Sequence, residues 1–420
     1  MNTKIYFPKY EAVCKAAERL KKEVFRSPLQ QHLKLSEDFQ AHISLKREDL
    51  QPVRSYKIRG AYNKMASLSQ EDCIKGVVCA SAGNHAQGVA LACKKMKIKG
   101  TVFMPLPTPG QKLEQVKMFG DDYVEVVLHG DTFDEAKEAA LAFCKEHNAV
   151  FIHPFDDPAI IEGQATVALE ILEQAEKPVD YLFVPIGGGG LAAGISAIFK
   201  MKSPDTKIIG VEPEGAASML KAIEKGKPVY LEKISRFIDG AAVQQVGDYT
   251  FDICRNTLHD VITVPEGSVC EEILALYNKD AIVVEPAGAL AVAALKCYDK
   301  EKLKGKNIVC IVSGSNNDIT RMEEIKEKAL LYKQLKHYFL VNFPQRPGAL
   351  RNFVMNVLGP DDDITYFEYT KKNSKEKGMA IVGIEVKEYQ DFDPLLSKMK
   401  QHDFYVNYLN DKPLLMNLLV

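Results

Sequence analysis

At 420 residues the chain is too long for one average domain, and its 54 Lys plus Arg balance 56 Asp plus Glu to a formal net charge of −2. Neither nucleic acid nor an anionic membrane is an expected partner of so neutral a chain, which leaves small molecules. Nine cysteines stand singly from Cys14 to Cys310 without a Cys-x-x-Cys pair, so neither a zinc site nor a disulfide framework is expected.

Met1 to Leu20 mixes charge with Pro8, and no apolar run approaches the ~18 residues of a membrane span; a cytoplasmic location is expected. From about 45 to 318, short β-branched runs alternate with helical stretches, the pattern of open parallel sheets with helices on both faces. The first stretch that could carry chemistry is Ser55-Tyr56-Lys57-Ile58-Arg59-Gly60, preceded by Lys46-Arg47-Glu48-Asp49-Leu50. A helix start and partial desolvation both lower the pKa of a lysine and expose its neutral amine as a nucleophile. The plain alternative is a solvated basic patch of Lys46, Arg47, Arg54, Lys57, Arg59 and Lys64. A strand over 76–80 then enters a helix over 85–96 through Ser81-Ala82-Gly83-Asn84-His85. Hydroxyl, amide and backbone donors there suit a carboxylate, although Asn84 as a simple helix cap explains the same residues. Strand and helix pairs over 101–104 and 110–119, then 123–128 and 132–146, complete a first lobe.

A second lobe opens with a strand over 179–186, the loop Gly187-Gly188-Gly189-Gly190-Leu191 and a helix over 192–200. Such a loop lets backbone N–H groups converge on a phosphate, helped by roughly 0.3–2 kcal/mol from the helix terminus. No Gly-Lys-Ser/Thr follows, which excludes a Walker loop. Gly187-x-Gly189-x-x-Ala192 also matches a relaxed dinucleotide fingerprint, with Glu212 ending the strand over 208–212 as its acidic residue; a tight turn without ligand remains a third reading. Helices over 270–278 and 287–298 precede a last strand over 307–313. Its loop, Ser313-Gly314-Ser315-Asn316-Asn317-Asp318, offers an uncharged hydroxyl to an aromatic nitrogen, or only turn chemistry.

A charge-rich helix over 321–336 leads to a different pattern. A strand over 337–343, a helix over 347–358, strands over 364–371 and 379–387 joined across 373–378, a helix over 391–400 and a strand over 404–409 follow the ferredoxin-like order. The expected domains are therefore 1–320, with a small lobe of roughly 55–153 inserted in the larger, a connecting helix over 321–336, and an α+β domain over 337–420.

Together the Lys46 and Lys57 motifs, Ser81 to His85, Gly187 to Gly190 and Ser313 to Asn316 resemble the fold-type II pyridoxal phosphate enzymes, most closely the threonine dehydratases, over nearly the whole chain. The resemblance implies a two-lobed catalytic domain with pyridoxal 5′-phosphate bound to Lys57 as an internal aldimine. It further implies that Gly187, Gly188, Gly189, Gly190 and Leu191 hold the phosphate, that Asn84 meets the 3′-oxygen, and that Ser313 faces the pyridine nitrogen. Ser81, Asn84 and His85 would receive the substrate carboxylate. The tail, recognisable by Phe343-Pro344-Gln345-Arg346-Pro347-Gly348-Ala349-Leu350, resembles the family's ACT-like regulatory domain, present once. It implies feedback control, expected from isoleucine, in a homo-oligomer, tetramer or dimer.

Several positions depart from the family pattern. Tyr56 stands for the usual phenylalanine and Ser315 for a glycine. Ala82 replaces the serine that related racemases use on the second face of the substrate, which argues against racemisation. Ser218 replaces an aspartate of their metal loop, Glu212 to Ser218, and no metal ligand is assigned. The implied reaction is β-elimination of water from L-threonine, or L-serine, to give from threonine 2-oxobutanoate and ammonia, the first step of isoleucine biosynthesis. Lys57 takes the α-proton, Ser313 leaves the ring nitrogen unprotonated and so disfavours long-lived carbanions, and the cofactor phosphate is the nearest donor to the departing hydroxide. The competing readings are serine dehydration or β-replacement, a nicotinamide-dependent dehydrogenase, and a non-catalytic amino-acid sensor.

Overall fold

A computed structural model describes residues 6–369, 377–412 and 414–416. The chain divides into two compact units, Met1–Ile319 and Thr320–Val420.

The first unit holds two sheets. The larger has six strands in the order Leu29–Gln31, His42–Arg47, Asn307–Val312, Tyr181–Pro185, Lys207–Pro213 and Asp260–Val264. All neighbours are parallel except the first pair. The smaller is fully parallel, in the order Val124–Leu128, Gly100–Met104, Val77–Ala80 and Val150–Phe151. Strands covered on both faces are continuously apolar rather than alternating. Tyr181–Pro185 and Val77–Ala80 are accordingly buried at every position.

Between the sheets runs a helix that the sequence pattern did not single out, Pro158–Gln174. Asp157 caps it by accepting from the N–H groups of Ala159 and Ile160, and Pro158 fills a first-turn position where no donor is needed. It packs on the helices Lys57–Ala66 and Gly190–Lys202 at a separation only glycine permits. A Cβ on Gly163 would lie 2.5 Å from the carbonyl oxygen of Arg59, and one on Gly194 would lie 2.6 Å from that of Ile161.

The second unit is a four-stranded antiparallel sheet in the order Asp363–Tyr369, Lys377–Glu385, Lys336–Pro344 and Tyr405–Tyr408. Alternation along Lys336–Pro344 sends Phe339, Val341 and Phe343 into a core with Phe353, Leu395 and Met399, from the helices Ala349–Asn356 and Phe392–Gln401. Tyr338 and Leu340 share the other cluster with Leu331 of the helix Met322–Tyr332. Tyr338 Oη donates to Glu327 Oε1 of that helix at 2.6 Å. The turn expected across 373–378 lies outside the described residues over 373–376, as do 370 and 371 at the end of the strand before it.

Candidate functional site

Lys57 is the first residue of its helix. Parallel pairing of His42–Arg47 with Asn307–Val312 carries the loops beyond both strands to one place. There the N–H of Tyr56 donates to the Ser313 carbonyl at 3.2 Å and that of Ser315 to the Arg54 carbonyl at 2.9 Å. Ligands of open α/β sheets bind beyond such carboxyl ends.

The solvated basic patch is not what forms. Lys46 and Arg59 are fully buried. Lys46 Nζ donates to Glu170 Oε2 and to the Ser27 carbonyl, both at 2.6 Å. Arg59 grips Glu48 through Nε at 2.7 Å and Nη2 at 2.8 Å, and reaches Glu170 Oε1 at 2.7 Å. These charges tie the lysine's helix to the sheet and to Pro158–Gln174 without entering the pocket. The half-buried Lys57 is different: its amine lies 5.3 Å over the Tyr56 ring and, among the described residues, donates to the Pro154 carbonyl at 3.2 Å. Desolvation pushes it down to about 8, against an upward pull from Glu285. Roughly a tenth is then neutral at pH 7.

One pocket gathers Tyr56, Lys57, Asn84, Gly187, Glu285 and Ser313. Gly187 to Gly190 join the strand Tyr181–Pro185 to the helix Gly190–Lys202, and Gly189 turns through φ +93°. Side chains have little or no room along this loop. A Cβ on Gly188 would fall 2.2 Å from the Phe155 ring, and one on Gly187 3.0 Å from Ala241 Cα. The first N–H taken inside the helix is that of Ala193, on the Gly189 carbonyl at 2.8 Å. The donors of Gly190, Leu191 and Ala192 are thereby left for an anion. Leu191 offers only its backbone, because its side chain is part of the core.

Asn84 is not a cap. Gly83 holds that position without a side-chain bond, and the Asn84 carboxamide is otherwise engaged. Its Nδ2 donates to Glu285 Oε1 at 2.6 Å, and its Oδ1 accepts from Asn316 Nδ2 at 2.6 Å. Ser81 Oγ accepts from the Gly83 N–H at 3.3 Å. The His85 ring turns to the Ile152 carbonyl at 2.9 Å and is buried, with its pKa pushed down to about 3 by desolvation and then by Lys57. Only the backbone N–H of His85 can serve a carboxylate. Ser313 is buried, and its hydroxyl donates to the Ala287 carbonyl at 3.1 Å.

Glu212 overturns the dinucleotide reading. Fully buried, it accepts from the N–H groups of Met219 at 2.7 Å and Leu220 at 2.8 Å, and so anchors the start of the helix Ser218–Lys225 rather than a ribose. The residues that sequence reasoning missed are Glu285 and Phe155, while Asn316 stood in the Ser313 loop without a role of its own. Glu285 carried a signal: it is the lone charge closing the apolar run Ile282-Val283-Val284, directly before Pro286 at a helix start. Burial, then Asp239, raises its carboxyl to about 7.

An amine of lowered pKa, a cradle of backbone donors and an uncharged hydroxyl suit an aromatic aldehyde that bears a phosphate. Among the described residues no cluster of His, Cys, Asp and Glu could hold a metal ion, and no helix is long and apolar enough to cross a membrane. Residues 20–314 match the family described as pyridoxal-phosphate dependent enzymes, and residues 327–419 the C-terminal regulatory domain of threonine dehydratase. The chain is 50% identical to the biosynthetic L-threonine dehydratase IlvA of Halalkalibacterium halodurans, over 98% of this chain and 99% of that protein. It is 52% identical to the IlvA of Bacillus subtilis, over 97% and 96% respectively. Among solved structures, the processed form of threonine deaminase isoform 2 from Solanum lycopersicum is 39% identical, with a TM-score of 0.71 over 78% of this chain and 97% of that one. Maize serine racemase is 31% identical, with a TM-score of 0.71 over 78% and 100%.

Proposed function

The chain belongs to the pyridoxal-phosphate-dependent enzymes and, among them, to the biosynthetic L-threonine dehydratases; from that premise we propose how its residues divide the conversion of L-threonine to 2-oxobutanoate and ammonia. Bound pyridoxal phosphate supplies a conjugated sink for the electron pair left when the α-proton departs. The observation that carries the assignment is the convergence of Lys57, Asn84, Gly187 and Ser313 on one pocket.

Lys57 would hold the cofactor through its amine. That amine, of lowered pKa, would serve as the base that takes the α-proton. Gly187 to Gly190 and Leu191 hold the phosphate through backbone N–H groups. Asn84 would meet the phenolic oxygen. The Ser313 hydroxyl, which donates to the Ala287 carbonyl in this structure, would turn to the ring nitrogen without adding a charge. Ser81 and the N–H groups of Asn84 and His85 receive the substrate carboxylate. Ala82 presents no acid or base to the other face of Cα, which favours loss of the β-hydroxyl over return of the proton. Once released, the dehydrated product would take up the water that was lost and give 2-oxobutanoate and ammonia. L-Serine is the runner-up substrate, separated by assaying pyruvate against 2-oxobutanoate.

Isoleucine is the effector in this reading, acting through the C-terminal unit of a cytoplasmic homo-oligomer, tetramer or dimer. Support comes from the match of residues 327–419 to a threonine dehydratase regulatory domain. The test is Lys57→Ala, which should lose both the borohydride-reducible yellow absorbance and turnover. Retention of both would remove Lys57 from the site. Isoleucine should slow the full chain and leave a chain ending at Ile319 unaffected; inhibition of the shortened chain contradicts a regulatory role for the tail.

A further inference from the structure

We propose that Glu285 is a positioning residue, which holds the Asn84 carboxamide in one of its two orientations so that Nδ2 is the atom presented to the cofactor. A carboxamide has an acceptor end and a donor end of nearly equal shape, and only its neighbours decide which points where. Here a chain of bonds runs in one direction. Asn316 Nδ2 donates to the Val53 carbonyl at 2.8 Å and to Asn84 Oδ1 at 2.6 Å, and Asn84 Nδ2 donates to Glu285 Oε1 at 2.6 Å.

The Val53 carbonyl accepts only, so it turns the amino end of Asn316 toward Asn84. The Asn84 oxygen is thereby occupied, and its nitrogen faces an acceptor. Nδ2 carries two hydrogens, one of which is spent on Glu285. The other remains for the pocket.

Packing around Glu285 is cut to fit the carboxylate. It is 5% exposed. A Cβ on Gly314 would lie 2.5 Å from Oε1, and the backbone N–H of Glu285 donates to the Gly314 carbonyl at 3.1 Å. A buried carboxylate is costly unless it is bonded. Among the described residues the side chain that bonds it is Asn84. Lys57, Lys112 and Asp239 act on it through charge.

The role rests on the reading that Asn84 touches pyridoxal phosphate, and its test is affinity of the apoprotein for the cofactor, not turnover. Pyridoxal phosphate is titrated into apoprotein, followed by absorbance, for the native chain, Glu285→Ala, Glu285→Gln, Asn84→Ala and the double alanine variant, with circular dichroism to verify folding. Glu285→Ala should weaken binding about tenfold, one hydrogen bond's worth. Glu285→Gln, which still offers an oxygen to Nδ2, should recover most of that. In the Asn84→Ala background, Glu285→Ala should cost less than about twofold, because little is left to orient. An undiminished loss in that background, or glutamine as poor as alanine, overturns the positioning role. Failure of the native apoprotein to bind the cofactor instead sinks the reading on which the role rests.

Discussion

Gly188→Ala puts the glycine loop under a graded strain that the geometry quantifies. The new Cβ would lie 2.2 Å from Phe155 Cδ1 and Cγ, where carbon atoms ordinarily rest at about 3.5–4.0 Å. Ring or loop must give by more than roughly 1 Å. Phe155 is not free to swing aside: its ring meets His153 edge-on at 4.8 Å, and its N–H donates to His153 Nδ1 at 3.2 Å. Overpacking of this kind costs about 1–3 kcal/mol. If the loop absorbs the strain, its N–H groups leave the phosphate and the cost appears in cofactor affinity, roughly a 5- to 150-fold rise in Kd. Titrating apoprotein with pyridoxal phosphate measures it. Gly190→Ala is the milder control, since its Cβ would meet Phe155 Cβ at 3.1 Å. Phe155→Ala should restore part of the affinity lost in Gly188→Ala, because it removes the obstructing ring. Native affinity in Gly188→Ala, or no recovery in the double variant, would refute the cradle.

Arg59→Ala should destabilise the chain by about 3–5 kcal/mol, since it leaves the buried Glu48 and the largely buried Glu170 without their shared guanidinium; a denaturant midpoint close to native would contradict this. Glu212 gives a pH signature. Desolvation raises its pKa from 4.5 to about 7 in the folded chain, so the folded state binds the proton more tightly than the unfolded one. Stability from this group is fully present below about pH 4.5 and is lost as pH rises toward 7, by roughly 3 kcal/mol. Glu212→Gln should flatten the fall between those pH values in urea unfolding. An unchanged slope would show that Glu212 is not its source.

What the sequence made legible was local. A strand that ends in glycines before a helix builds the Gly187 to Gly190 loop by its own geometry, and alternation in 337–343 sorts the residues of Lys336–Pro344 between two faces without help from elsewhere. Less visible was anything decided by a distant partner. Pro158–Gln174 is apolar and small on most sides because other helices cover it, so it shows little helical stripe. Glu212 ends a strand much as a ribose ligand would, yet the backbone donors of Met219 and Leu220, which follow several residues later, claim it. His85 lies in a loop of donors, but the carbonyl of Ile152 turns its ring away.

The motif around Lys57 shows why such distinctions escape a one-dimensional reading. Lys57 and Arg59 are two residues apart in one helix, about 200° of rotation, so their side chains leave it on opposite sides. On the Arg59 side Glu48 and Glu170 converge, and the guanidinium is held firmly charged. Toward the pocket Lys57 finds the Pro154 carbonyl and the Tyr56 ring, while Glu285 acts on it through charge alone and bonds Asn84 instead. Desolvation therefore prevails at Lys57 and loses at Arg59, although the sequence writes both as basic residues of a single patch. Were Glu285 to bond the lysine directly, the ion pair would hold the amine protonated. By spending that carboxylate on Asn84, the fold leaves the Lys57 amine available as a nucleophile.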